Sequence, residues 1–241
     1  MTALLEVKNL TKSFQGLVAV NDVNFSLAAS RITALIGPNG AGKTTCFNLV
    51  AGALSPTRGQ VLFEGCSIER TPPEKVCRMG IARTFQIVRP MRDMSVLENA
   101  MVGAFTWTTS VKEARSKAYE SLESVGLAGK ANARTDQLTL PDRKMLEMAK
   151  ALSTRPKLLL LDEVMAGLRP TEAAGVVGVL QKLAEGGLTI LLVEHVMRIV
   201  MEVASTVVVL HHGAKIAEGK PSDVVADPRV LESYLGAGFH A

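Results

Sequence analysis

Residues 35–50 read Leu-Ile-Gly-Pro-Asn-Gly-Ala-Gly-Lys-Thr-Thr-Cys-Phe-Asn-Leu-Val, and no other stretch constrains the fold of this chain as strongly. Gly37, Gly42, Lys43 and Thr44 satisfy the spacing G-x-x-x-x-G-K-[ST]. The apolar run Ile32–Ile36 before them reads as a buried strand, and Thr45–Ala51 after them reads as a helix. A strand, a glycine loop and a helix in that order point several backbone N–H groups at one place, with the positive end of the helix dipole behind them. Such a cradle suits phosphate groups. The candidate binding set is therefore Gly37, Pro38, Asn39, Gly40, Ala41, Gly42, Lys43, Thr44 and Thr45. Lys43 is expected to reach β- and γ-phosphates, and the Thr44 hydroxyl to hold Mg²⁺. A nucleoside triphosphate is the ligand this arrangement predicts.

The whole chain leaves room for one sizeable domain, or for a domain with a subdomain inserted, in its 241 residues. Its 47% hydrophobic and 21% charged residues are those of a globular protein. The longest apolar runs, around Leu188–Val193 and Val203–Leu210, are of strand length, well short of the ~18 residues that suggest a membrane-spanning helix. Met1–Lys8 lacks the basic start and apolar core of a secretory signal. The expectation is a cytosolic chain, without direct membrane insertion, that reaches a membrane through other proteins. A formal net charge of +4, without a dense Lys/Arg stripe and with only 4% aromatics, does not predict a nucleic-acid partner. Cys46, Cys66 and Cys77 show no metal spacing and read as reduced, small, buried residues.

Taken in order, Leu4–Leu10 and Val20–Leu27 read as strands flanking a Phe14-Gln15-Gly16 turn. Phe14 suits either an adenine ring or the core; its position alone supports both. Gln60–Phe63 reads as a strand closed by Gly65 into a hairpin, and a helix is expected from Pro72-Pro73-Glu74 to a stop at Gly80. A short strand follows, Ile81–Gln86. Helical spacing then dominates: Val96, Leu97, Ala100, Met101 and Ala104; Ala114, Ala118, Leu122 and Val125; Met145, Leu146, Met148, Ala149 and Leu152. Residues near 88–153 thus read as a helical insertion within an α/β domain spanning 1–241. Strands return at Lys157–Leu161, Leu188–Val193 and Val207–His211, separated by helices at Pro170–Leu183 and Val196–Val203. That alternation predicts a parallel core sheet with helices on both faces.

Leu158–Leu161 runs into Asp162 and Glu163, a buried strand ending in two carboxylates. Far downstream of a phosphate loop, Asp162 is expected to hold Mg²⁺ through water, and Glu163 to polarise a water for attack on the γ-phosphate. His195 lies just beyond the strand Leu188–Val193, where ligands meet open α/β sheets.

Gly37–Thr45, Gln86, Leu138–Leu152, Leu158–Glu163 and His195 occur in an order and spacing that resembles the ATP-binding-cassette (ABC) ATPases, over essentially the whole chain. The resemblance implies an α/β fold with a parallel core sheet, an N-terminal antiparallel subdomain and an inserted helical subdomain. It implies ATP and Mg²⁺ as cofactors, Phe14 as an adenine-stacking aromatic, Gln86 as a Mg²⁺ ligand and γ-phosphate sensor, Glu163 as general base and His195 as the switch histidine. It also implies a head-to-tail dimer in which one subunit's phosphate loop faces the other's signature segment, where Thr139 is a candidate contact. The stretches Gly80–Gln86, Ser95–Asn99, Ala166–Glu172 and Val193–His195, with the ending Tyr234-Leu235-Gly236, are similar to the subfamily serving bacterial importers of branched-chain and other hydrophobic amino acids, amides or urea. That implies a permease partner, an indirect tie to a periplasmic binding protein, and a place on the cytoplasmic face of the inner membrane. A single-cassette lipid exporter ATPase and an ABC ATPase acting on nucleic acid are the alternatives.

The chain departs from the family pattern at its signature, Leu138-Thr139-Leu140-Pro141-Asp142, where Leu-Ser-Gly-Gly-Gln is usual. Thr139 keeps a hydroxyl. Pro141 has no N–H to offer, and Asp142 brings negative charge, although both also make a good helix start. Arg143 and Lys144 are candidates to offset that charge. Val164 and Arg169 also differ from the usual residues. The phosphate loop, Asp162, Glu163 and His195 are intact, so the expectation is a heterodimer with unequal sites, a homodimer being the alternative. Ile87, Val88, Arg89, Pro90, Met91 and Met94 are expected to offer a docking groove to the permease.

Overall fold

The computed structural model describes residues 3–84 and 90–235. In chain order its elements are β1 (Ala3–Phe14), β2 (Leu17–Ala28), β3 (Ile32–Ile36), α1 (Lys43–Val50), β4 (Arg58–Phe63), β5 (Cys66–Ser67), α2 (Pro73–Met79), β6 (Ile81–Arg83), α3 (Val96–Ala104), α4 (Val111–Ser124), α5 (Leu140–Ser153), β7 (Leu158–Asp162), α6 (Pro170–Glu185), β8 (Thr189–Val193), α7 (Met197–Val203), β9 (Thr206–His211), β10 (Ala214–Gly219), α8 (Pro221–Val225) and α9 (Pro228–Leu235). The chain divides into two compact units, Met1–Pro73 with Thr189–Ala241, and Glu74–Leu188.

The first unit contains two kinds of sheet. β1 pairs antiparallel with both β2 and β4, and β5 completes a hairpin with β4. Its strands alternate between buried and more exposed positions, as expected where one face is covered. β3 lies between β8 and β9, parallel to both. Every residue of β3 and β8 is buried, which is why these strands read as unbroken apolar runs. β10 then folds back antiparallel on β9. That return strand and the two helices after it were not foreseen from sequence: Ala214–Gly219 is a mixed segment in which only Ala217 is fully buried.

In the second unit β6 and β7 pair in parallel, with Ile81 opposite Leu158 and Arg83 opposite Leu160. α3, α4 and α5 pack on one another through the expected stripes, with Ala100, Ala104, Ala114, Ala118, Leu122, Leu146, Met148 and Ala149 fully buried. Small residues on α3 and α4 allow the close approach, and long ones on α5 fill the space between. Each of these helices begins with a side-chain cap. Ser95 accepts from the Glu98 N–H at 3.2 Å while Glu98 accepts from the Ser95 N–H at 2.8 Å, and Ser110 accepts from the Glu113 N–H at 3.3 Å. Such a cap contributes about 1 kcal/mol.

One reading needs correction. Only Cys46 among the cysteines is buried; Cys66 is exposed on the short edge strand β5 and Cys77 is half-buried. Burial pushes the Cys46 thiol up to about 12, so it stays protonated.

Candidate nucleotide site

The loop leaving β3 folds as its residues predict. Gly37 has φ 149°, and a Cβ there would sit 2.1 Å from the Leu210 carbonyl oxygen. Gly42 has φ 99°, and its Cβ would meet the Ala19 carbonyl oxygen at 2.4 Å. Backbone against backbone at these distances admits only glycine. The loop is braced from outside by the β9–β10 turn, where the Gly213 N–H donates to the Ala41 carbonyl at 3.1 Å.

α1 starts at Lys43, two residues earlier than the sequence suggests, with Gly42 in the left-handed region as its N-cap. Here the contrast with α3, α4 and α5 is informative. No side chain caps α1 and its first turn has no acidic residue, among the described residues. Its leading N–H groups are thus left for an external anion. Lys43 is nearly buried, and its Nζ donates to the Gly37 and Pro38 carbonyls at 2.8 and 3.0 Å, which holds the ammonium head over the loop. Thr44 is exposed and Thr45 half-buried at the mouth of the cradle. The described residues include no cluster of three His, Cys, Asp or Glu side chains able to hold a metal by themselves.

Within the same unit, Phe14 ends β1 at a tight turn and is 41% exposed, with Lys12 Nζ 5.0 Å from its ring centre. Of its two sequence readings, core packing is the one this exposure disfavours. His195 follows β8, whose Leu192 and Val193 pair with Ala34 and Leu35 just ahead of the phosphate loop. The histidine is exposed, and its backbone N–H donates to the carboxylate of fully buried Glu194 at 3.3 Å.

The second unit carries the carboxylates. Asp162, nearly buried, closes β7, and its charge opposes the fall in pKa that burial imposes on Arg83. Glu163 has φ 47°, a left-handed conformation that costs an L-residue on the order of 1–3 kcal/mol and collects at functional sites. Its carbonyl accepts from Lys144 Nζ at 3.3 Å, and Lys144 is itself buried on α5. Gln86 and Arg89 lie outside the described residues.

At the variant signature, Thr139 is the N-cap of α5. Asp142 Oδ2 accepts from the Thr139 N–H at 3.1 Å and from its hydroxyl at 2.8 Å, while the Asp142 N–H donates to Thr139 Oγ1. The offsetting cation is Lys130, whose Nζ lies 2.6 Å from Asp142. Arg143 instead donates to the Leu138 carbonyl, and Lys144 turns inward. Nothing in the local spacing pointed to Lys130, which arrives from a separate turn at Ala128–Lys130.

A family model described as "ABC transporter" matches residues 20–166, and one described as "Branched-chain amino acid ATP-binding cassette transporter" matches residues 214–240. The chain is 39% identical to the high-affinity branched-chain amino acid transport ATP-binding proteins BraF of Pseudomonas aeruginosa and LivG of Escherichia coli, covering 97% of this chain and 98% of each relative. The solved ADP conformation of MJ1267, an ATP-binding cassette of an ABC transporter, superimposes with a TM-score of 0.89 at 31% identity, covering 98% of this chain and all of that one. With a phosphate cradle on one unit, a carboxylate strand on the other and these relatives along its full length, the chain belongs to the ABC transporter family, among its ATP-binding-cassette ATPases of the branched-chain amino-acid type.

Proposed function

We propose that this chain is the ATP-hydrolysing subunit of an importer for branched-chain or other hydrophobic amino acids. It works peripherally on the cytoplasmic face of the membrane with a second ATPase subunit and a separate permease. No helix among the described residues is long and apolar enough to cross a membrane. The observation that carries the reading is the uncapped start of α1 beneath the Lys43 ammonium, an anion seat in a chain whose α3, α4 and α5 are all capped. In this reading the whole chain is one cassette with a helical segment near 88–153. Gly37–Thr45 bind the phosphates, Phe14 stacks on adenine, Thr44, Asp162 and Gln86 serve Mg²⁺, Glu163 activates water and His195 responds to the γ-phosphate.

The second subunit is a related but different ATPase. Asp142 supports this: its carboxylate already takes both donors of Thr139 at the start of α5, and Pro141 offers no N–H. A partner's phosphate loop facing this segment forms the weaker site, and this chain's own loop forms the stronger. The test is ATP hydrolysis by the purified chain alone and mixed with its partner ATPase, beside Glu163→Gln, followed by leucine uptake in vesicles with the permease. Low activity alone, a large gain on mixing and its loss in Glu163→Gln are expected. Full activity of the chain alone would overturn the unequal pair.

A further inference from the structure

The start of α5 rests on the turn that carries Glu163. Leu140 and Lys144 lie four residues apart on α5 and so share one face of the helix. A Cβ placed on Gly167 would lie 3.5 Å from Leu140 Cδ2, so the chain leaving β7 runs in contact with the first turn of α5. One helical turn further along that face, Lys144 is buried and its Nζ donates to the Glu163 carbonyl at 3.3 Å. The same carbonyl accepts from the Ala166 N–H at 3.1 Å. Glu163 is half-buried and left-handed, and its neighbours Asp162 and Val164 are both buried. An ammonium taken out of water must find hydrogen-bond acceptors. Here one acceptor is the peptide of the residue assigned as general base.

We propose that Lys144 is a positioning residue for hydrolysis: it clamps the Glu163 carbonyl, keeps that residue in its left-handed conformation, and so aims the carboxylate. A left-handed L-residue persists where its surroundings over-determine it. Two bonds to one carbonyl fix the plane of the Glu163 peptide, and the direction of the side chain follows from that plane. The two bonds differ in kind. Ala166 belongs to the same turn and moves with it, whereas Lys144 comes from α5 and ties the turn to a separate element. Without the ammonium the turn keeps its internal bond and loses its external anchor. Glu163 is then free to relax toward an ordinary backbone conformation, and a shift on the order of 1 Å in a catalytic group costs much of its effect. The phosphate loop is untouched, so nucleotide affinity is not affected. Within one subunit, α5 therefore joins the altered signature, through Leu140, to this chain's own carboxylate, through Lys144.

This inference rests on the reading that Glu163 is the general base. ATP hydrolysis is measured for the full chain with its partner ATPase, comparing Lys144→Met, Glu163→Gln and the double variant with the unaltered chain. ATP affinity and hydrogen exchange of the Ala166 amide are followed in parallel. Lys144→Met keeps the length of the side chain and removes the donor. It is expected to lower kcat about 10- to 100-fold, the scale of a misplaced catalytic group, with ATP affinity unchanged and Ala166 exchange faster. Lys144→Arg, which keeps charge and donors, is expected to recover most of the rate. In the Glu163→Gln background the Lys144→Met substitution should leave the residual rate unchanged, because the group it positions is gone. Should Lys144→Met not fold, Lys144→Gln, whose shorter neutral amide stops short of the carbonyl, is expected to show the same loss. An unchanged kcat would overturn the proposal, as would an equal loss of rate with and without the Glu163 carboxylate, the mark of a merely structural lysine. Full hydrolysis by Glu163→Gln would instead overturn the underlying reading.

Discussion

Lys130 and Asp142 meet at 2.6 Å over the first turn of α5, where the carboxylate also holds Thr139. Burial alone would push the Asp142 carboxyl up, but the bonds from Lys130 and Thr139 outweigh it and hold its pKa below the usual carboxylate range. A depressed folded-state pKa contributes stability above the unfolded value, and that contribution is lost as pH falls through the folded value. Asp142→Ala is thus expected to lose about 1 kcal/mol near neutral pH, mainly through the cap. The deficit should persist down to the ordinary carboxylate range and shrink only below it. Lys130 is half exposed, so Lys130→Ala is expected to cost less than Asp142→Ala. Urea unfolding at a series of pH values checks both, and a deficit that grows on acidification would contradict the assignment.

Asn99 is fully buried, and its amide gathers four backbone bonds. It accepts from the Met91 N–H and donates to the carbonyls of Met91, Met94 and Ser95. Removing it takes away the acceptor of the Met91 N–H together with three further bonds, a loss of about 1–3 kcal/mol. Asn99→Ala is expected to destabilise by that amount and to speed amide exchange at Met91. Asn99→Asp keeps the acceptor for Met91 but loses the donors, and brings an unpaired charge into the core, so it should be no better.

These two sites mark where sequence was legible and where it was not. Residues 95–99 stand out as a family-like stretch, and Ser95 with Glu98 is a capping pattern readable from spacing alone. The task of Asn99 was hidden, because its partners lie in an irregular loop with no periodicity to read. The same holds at α5. Thr139, Pro141 and Asp142 announce a helix start, whereas Lys130 comes from a turn whose position depends on packing. The phosphate loop, β3, β7 and β8 were visible because buried parallel strands are continuous apolar runs. β10, α8 and α9 were not, since short, half-exposed elements carry little pattern.

Glu163 combines a left-handed backbone with an anchored carbonyl. Glu163→Gln keeps shape and conformation and removes only the basic carboxylate. It is expected to lower ATP hydrolysis at least about 100-fold, the scale of a lost general base, while ATP affinity and melting temperature stay near those of the unaltered chain. A Glu163→Gln enzyme with more than a tenth of the original rate would place the base elsewhere.

Arg155 also has a left-handed backbone, φ 58°, and its guanidinium carbon lies 3.3 Å from the ring centre of Trp107. Trp107 is the chain's single tryptophan, and its Nε1–H donates to the Ser153 carbonyl at 2.9 Å. Two opposing contributions meet at this residue, and two substitutions separate them. Arg155→Ala removes the cation–π stack, worth about 0.5–1 kcal/mol at an exposed site, and keeps the strain. Arg155→Gly removes the same stack but accepts the positive φ without penalty. Arg155→Gly is therefore expected to be more stable than Arg155→Ala by roughly 1 kcal/mol, the reverse of the order found inside helices. Both should change Trp107 emission alike, because both uncover the same ring face. Equilibrium unfolding followed by that emission measures the two effects in one experiment. An Ala variant at least as stable as the Gly variant would show that backbone strain at Arg155 is not released by substitution.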